Sequence, residues 1–151
     1  DDPPFEEPLG GAARIVTSIE NYQRIFSYAP GPGLGMLFCQ GCVAEMGEDV
    51  PAAIRTMAQA DKIVFVHFRN IRGVDDIRAG RYRFQEVFID EGDVDMLAAM
   101  QSYKDAGYTG PFMMDHTPGI PGATGEGPGR AYANGYIRAA LQMVYGRAAA
   151  R

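Results

Sequence analysis

Three short apolar runs stand out along the chain, at residues 34–39 (Leu-Gly-Met-Leu-Phe-Cys), 62–68 (Lys-Ile-Val-Phe-Val-His-Phe) and 111–115 (Pro-Phe-Met-Met-Asp). None shows the polar alternation of a half-exposed strand, and the middle one is dense in β-branched and aromatic residues. The pattern predicts three buried strands. Helical periods lie between and around them. Thr17 with Glu20 three residues later is a capping-box signature, opening a helix with Ile19, Tyr22, Ile25, Phe26 and Ala29 on one face. Pro30-Gly31-Pro32-Gly33 stops it. Asp49 is the expected cap of a second helix, with Pro51 in its first turn and an apolar stripe of Val50, Ala53, Ile54 and Met57. Asp93 or Asp95 caps a third, whose face carries Met96, Leu97, Met100 and Tyr103 and whose stop is Gly107. The last helix, 129–145, has the cleanest period: Ala133, Tyr136, Ile137, Ala140, Leu141 and Val144. The tail 147–151 is expected to fray.

The remaining stretches read as loops. Residues 1–13 are rich in Pro, Gly and acid, 40–48 link a strand to a helix, and 117–129 are dense in Pro and Gly. The connection 69–92 is long enough to be a functional insertion, with a short strand expected within 83–89. The resulting order, α, βα, βα, βα, predicts an α/β fold with parallel strands and crossover helices. A complete (βα)8 TIM barrel of about 250 residues uses about 31 per unit. The 151 residues therefore make one domain, a partial TIM barrel of roughly half the full set.

Composition narrows the function. A net charge of -5 disfavours nucleic acid as a partner. Two arginine clusters, Arg69 with Arg72 and Arg78 with Arg81 and Arg83, suit a small acidic substrate or a solvated surface. No apolar run approaches the ~20 residues of a membrane span and no signal-peptide pattern opens the sequence. Two cysteines make no disulfide framework. The expectation is a cytoplasmic protein.

Cys39, His67 and Asp115 each end a predicted strand. In a parallel sheet those ends share one edge, where α/β proteins place their chemistry. Thiolate, imidazole and carboxylate together suit a borderline divalent metal (Mn, Fe, Co, Zn) better than Mg or Ca. Singly, each has an ordinary structural explanation: a core cysteine, a hydrogen-bonded histidine, a helix-capping aspartate. Their equivalent positions on successive strands favour a shared metal site. His116, next to Asp115, is left for general acid or base work. Cys39-Gln40-Gly41-Cys42 matches CxxC, but leaves a strand into a loop and has no second pair, so Cys42 reads as incidental.

Asp1-Asp2-Pro3-Pro4, Arg14-Ile15-Val16, Cys39-Gln40-Gly41, Val66-His67-Phe68-Arg69-Asn70, Phe84-Gln85-Glu86, Gly92-Asp93-Val94-Asp95-Met96, Asp115-His116 and the final helix appear in an order and spacing that resemble the mannonate dehydratase family. These are metal-dependent lyases on a xylose-isomerase-like TIM barrel, and the likeness is to their C-terminal half. The resemblance implies dehydration of D-mannonate to 2-keto-3-deoxygluconate in hexuronate breakdown, usually with Mn2+, Fe2+ or Co2+ being alternatives. It implies Cys39, His67 and Asp115 as three metal ligands, His116 as the acid/base residue, and Arg69 against the substrate carboxylate. Two departures follow. The family's fourth ligand is a His just before Asp-Asp-Pro-Pro, ahead of this sequence, and a family tyrosine in the loop after Asp-His has no counterpart in 117–129. A sugar isomerase or epimerase on a similar metal edge is the rival enzyme reading. A third is an inactive half-domain. Three strands cannot close a barrel, so an oligomer or a missing N-terminal half is the expected partner.

Overall fold

The structure is a computed structural model, which describes Pro8 and residues 10–148. The Asp1-Asp2-Pro3-Pro4 motif and the end of the tail lie outside the described residues. The chain runs α1 (Ile19–Tyr28), β1 (Met36–Cys39), α2 (Gln40–Glu45), α3 (Val50–Gln59), β2 (Ile63–His67), β3 (Ile71–Arg72), α4 (Val74–Arg78), β4 (Gln85–Glu86), α5 (Met96–Asp105), β5 (Phe112–Met113) and α6 (Gly127–Val144). Strands β1, β2 and β5 form a parallel sheet in chain order, with Cys39 beside His67 and His67 beside Met113. Strands β3 and β4 make a separate antiparallel pair.

Local chemistry sets most of these boundaries. Asp49 accepts from the Ala52 N–H at 2.7 Å and caps α3 as expected, with Pro51 in the first turn. The α1 cap is Ser18, one residue after the expected Thr17; its Oγ accepts from Asn21 N–H at 3.2 Å. Asp93 and Asp95 both cap. Asp95 Oδ1 accepts from Leu97 and Ala98 at the start of α5, while Asp93 Oδ2 accepts from Gly73 and Val74 at the start of α4. Gly107, at φ +77°, stops α5 as expected.

Two helices are absent from the sequence reading. Helix α2 fills the expected loop 40–48. Five of its six residues are buried, so it has no polar face and no amphipathic period. Helix α4 is a single short turn inside 69–92, and β4 there is only two residues long within the expected 83–89. Helix α6 begins two residues early, through Pro128 in its first turn.

Helices α3, α5 and α6 pack side by side over one face of the sheet. The core there is aromatic. Tyr103 meets Phe38 and Phe112 edge-on at 6.0 and 5.2 Å, and Phe112 meets Tyr108 at 5.3 Å. Neither face is fully covered: Leu37, on the side of Cys39, is 43% exposed, and Val64, on the side of Val66 near the end of α5, is 59% exposed, which corrects the expectation of fully buried strands. Leu97, expected on the apolar face of α5, is also exposed, because Met96, Ala99, Met100 and Tyr103 take that face instead. No helix among the described residues is long and apolar enough to cross a membrane.

Candidate metal centre

Each side chain that the sequence singles out at the sheet edge follows a core residue directly. Phe38 precedes Cys39, Val66 precedes His67, Phe68 precedes Arg69, and Met114 precedes Asp115; all four predecessors are buried. On β1 and β2, strand alternation then sends Cys39 and His67 to the opposite side, while Arg69 and Asp115 lie past the strand ends. Phe65 and His67, two apart on β2, lie on one side with their rings 5.8 Å apart.

One ligand atom from each of Cys39, His67 and Asp115 falls within 4.8 Å of the other two. Asp115 does not end β5 but lies two residues beyond it, with its backbone in the left-handed region at φ +66°. Aspartate tolerates that region better than most residues, and strain of this kind gathers at functional sites. The turn brings one oxygen, Oδ2, to a focus. His67 Nδ1 is 3.4 Å from it, Arg69 Nε 3.3 Å and His116 Nε2 3.3 Å. His116 is half-exposed, and its Nδ1 faces Glu86 Oε2 at 3.9 Å.

Arg69 lies beneath this focus and is only 6% exposed. Its Nη2 donates to Glu45 Oε1 at 2.6 Å and to Cys42 Sγ at 3.2 Å, and its Nη1 donates to Glu86 Oε1 at 2.8 Å. The guanidinium rests on Gly41, where a Cβ would overlap it. Gln40 Nε2 donates to the Arg69 carbonyl at 3.4 Å and holds that stretch of backbone against α2.

These neighbours set the ionisation. The Cys42 hydrogen bond to Cys39, helped by the positive charge of Arg69 and opposed by burial, holds the Cys39 thiol down at about 5. Cys42 is pushed up, by the same hydrogen bond and by burial. Burial raises Glu45, with Arg69 pulling the other way. Burial opposes the charge on Arg69, but the thiolate and carboxylates around it outweigh that and keep it protonated.

A cleft of about 500 Å³ opens onto Cys39, Cys42, His67 and Asp115, walled by Tyr22, Ile25 and Phe26 of α1 and by residues 34–37. A thiolate, an imidazole and a carboxylate within reach of one point, in surroundings richer in acids than in cations, form a donor set that fits a divalent transition metal. Sequence reasoning missed Glu45, Glu86 and a placed role for Cys42. The signal for Glu86 was its place in the Phe84-Gln85-Glu86 segment. Glu45 gave none, since an acid on a short helix ordinarily reads as surface.

The D-mannonate dehydratase (UxuA) family profile matches residues 1–147. The chain belongs to the mannonate dehydratase family. Mannonate dehydratase 2 of Halalkalibacterium halodurans is 37% identical over 129 residues, covering 83% of this chain and 35% of the relative. The mannonate dehydratase of Oceanobacillus iheyensis is 33% identical over 149 residues, covering 91% of this chain and 40% of the relative. The crystal structure of mannonate dehydratase from Streptococcus suis serotype2 superposes with a TM-score of 0.73 at 28% identity, over 95% of this chain and 42% of that one. The chain thus spans well under half the length of these family members.

Proposed function

We propose that this chain carries the metal-binding edge of a hydro-lyase that dehydrates D-mannonate to 2-keto-3-deoxygluconate. The observation that carries the reading is the meeting of Cys39, His67 and Asp115 within 4.8 Å beyond three parallel strands, in a chain of this family. These three residues would hold a divalent cation, Mn2+ first and Fe2+ or Co2+ as alternatives. Such a cation supplies Lewis-acid stabilisation of the enolate-like charge that develops beside the substrate carboxylate. His116, half-exposed and 3.3 Å from Asp115, is the proton carrier, with Asp115 and Glu86 flanking its ring. A reducing cytoplasm, where Cys39 stays unoxidised, suits this chemistry.

The chain is read as a C-terminal portion of a TIM barrel. The exposed Leu37 supports this, since an apolar side chain on an open sheet face belongs against further structure. That structure is either the N-terminal half or a second copy. The test adds Mn2+ and D-mannonate to the chain, alone and mixed with the N-terminal half of the Halalkalibacterium halodurans relative. Formation of 2-keto-3-deoxygluconate in either arm supports the reading. An isomerised sugar acid without loss of water favours the epimerase alternative, and no turnover in both arms refutes catalysis.

A further inference from the structure

Arg69 was expected against the substrate, yet its guanidinium points into the protein. We infer that Arg69 is a positioning residue for Asp115, locked in place by Glu45, Glu86 and the missing side chain of Gly41. This rests on the metal-site reading above and adds a role for groups that touch no substrate.

Each nitrogen of the Arg69 guanidinium has its own neighbour. Nη1 and Nη2 are taken by Glu86 and Glu45 at 2.8 and 2.6 Å, and Cys42 Sγ shares Nη2. Nε remains. It is buried and has no aligned hydrogen-bond acceptor, and it lies 3.3 Å from Asp115 Oδ2. A guanidinium is a rigid planar fork, so two clamped nitrogens fix the third in position and direction. Asp115 needs such a restraint, because its backbone is left-handed and its side chain leaves the sheet after β5 has ended. A guanidinium held against a ligating carboxylate is an outer-shell contact, and the loss of such a contact costs about ten- to a hundredfold in metal affinity.

The alignment depends on space as well as charge. Gly41 lets the fork lie flat on α2, and a Cβ there would displace it while leaving every charge in place. Glu45 supplies the buried counter-charge from the same helix. The Cys39-Gln40-Gly41 segment therefore contributes a candidate ligand and the seat for the residue that orients another.

The experiment is a Co2+ titration of the full chain, followed by the thiolate-to-cobalt charge-transfer band. Arg69→Met is made together with Glu45→Gln, so that no carboxylate is left buried and unpaired. The expected loss of Co2+ affinity is about ten- to a hundredfold when Asp115 is present. It should shrink to within about twofold when the same pair is placed on Asp115→Asn, because the restraint then has no ligand to act on. Equal losses in both backgrounds would overturn the inference. Gly41→Ala provides an independent arm, keeping all the charges but moving the fork, and undiminished Co2+ affinity there would also overturn it. So would full recovery with Arg69→Lys, which restores charge without the fork. A parent chain that binds no Co2+ would sink the metal-site reading itself, and this inference with it.

Discussion

Beneath the sheet, Phe38, Phe68, Tyr103, Tyr108 and Phe112 form one aromatic cluster with hardly a polar contact. At its carboxyl edge, Cys39, His67, Arg69 and Asp115 meet Glu45, Glu86 and His116 in a polar cluster that opens onto a cleft walled by Tyr22, Ile25 and Phe26. The two regions are built from adjacent residues of the same segments. On β1 and β2, burying Phe38 and Val66 sends Cys39 and His67 to the other side, while the left-handed turn after β5 places Asp115. A one-residue slip of β1 or β2 would exchange Phe38 with Cys39 or Val66 with His67.

The separation can be tested from either side. His67→Ala should abolish stoichiometric Mn2+ or Co2+ uptake by elemental analysis, while leaving the thermal midpoint within about 4 °C. Unchanged metal content would mean that the edge is not a site. Phe38→Ala should do the reverse. It empties a fully buried position and is expected to cost about 3–5 kcal/mol by denaturant unfolding, with metal uptake retained under conditions where the variant remains folded.

Two smaller effects sharpen the picture of the aromatic region. Burial pushes the Tyr108 and Tyr145 phenols up to about 12. A folded-state pKa above the unfolded value of about 10 means that their contribution to stability is full below pH 10 and is lost as pH rises towards 12. Tyrosinate absorbance should therefore rise later in the native chain than in urea, and coincident curves would contradict the burial. Tyr103 is the smallest case. Its hydroxyl is buried without a hydrogen-bond partner, so Tyr103→Phe should be neutral or stabilising by about 1 kcal/mol. A loss of stability would reveal a partner for that hydroxyl.

The convergence of Cys39, His67 and Asp115 was readable because each closes a short apolar run, which leaves a strong mark on sequence, although Asp115 lies two residues past β5. Helix α2 left none, since Gln40, Gly41, Val43, Ala44 and Glu45 are buried on all sides and show no period. Glu45 and Arg69 illustrate the remaining gap. Each alone resembles a solvated charge, and only their 2.6 Å pairing across 24 residues shows that both are interior. The exposure of Leu37 was not legible for a related reason. Apolar composition records what a face is suited to contact, and it does not record whether the contacting segment is part of the chain.

The left-handed backbone at Asp115 also limits how this protein can drift. Of the residues that settle there readily, glycine and asparagine bring no charge, and glutamate brings the charge without the short side chain that eases the turn. Position 115 consequently has no neighbouring substitution that preserves both shape and chemistry. A lineage that loses this aspartate has to rebuild the loop to recover a carboxylate, so variation in the family should accumulate around the turn and leave the residue itself in place.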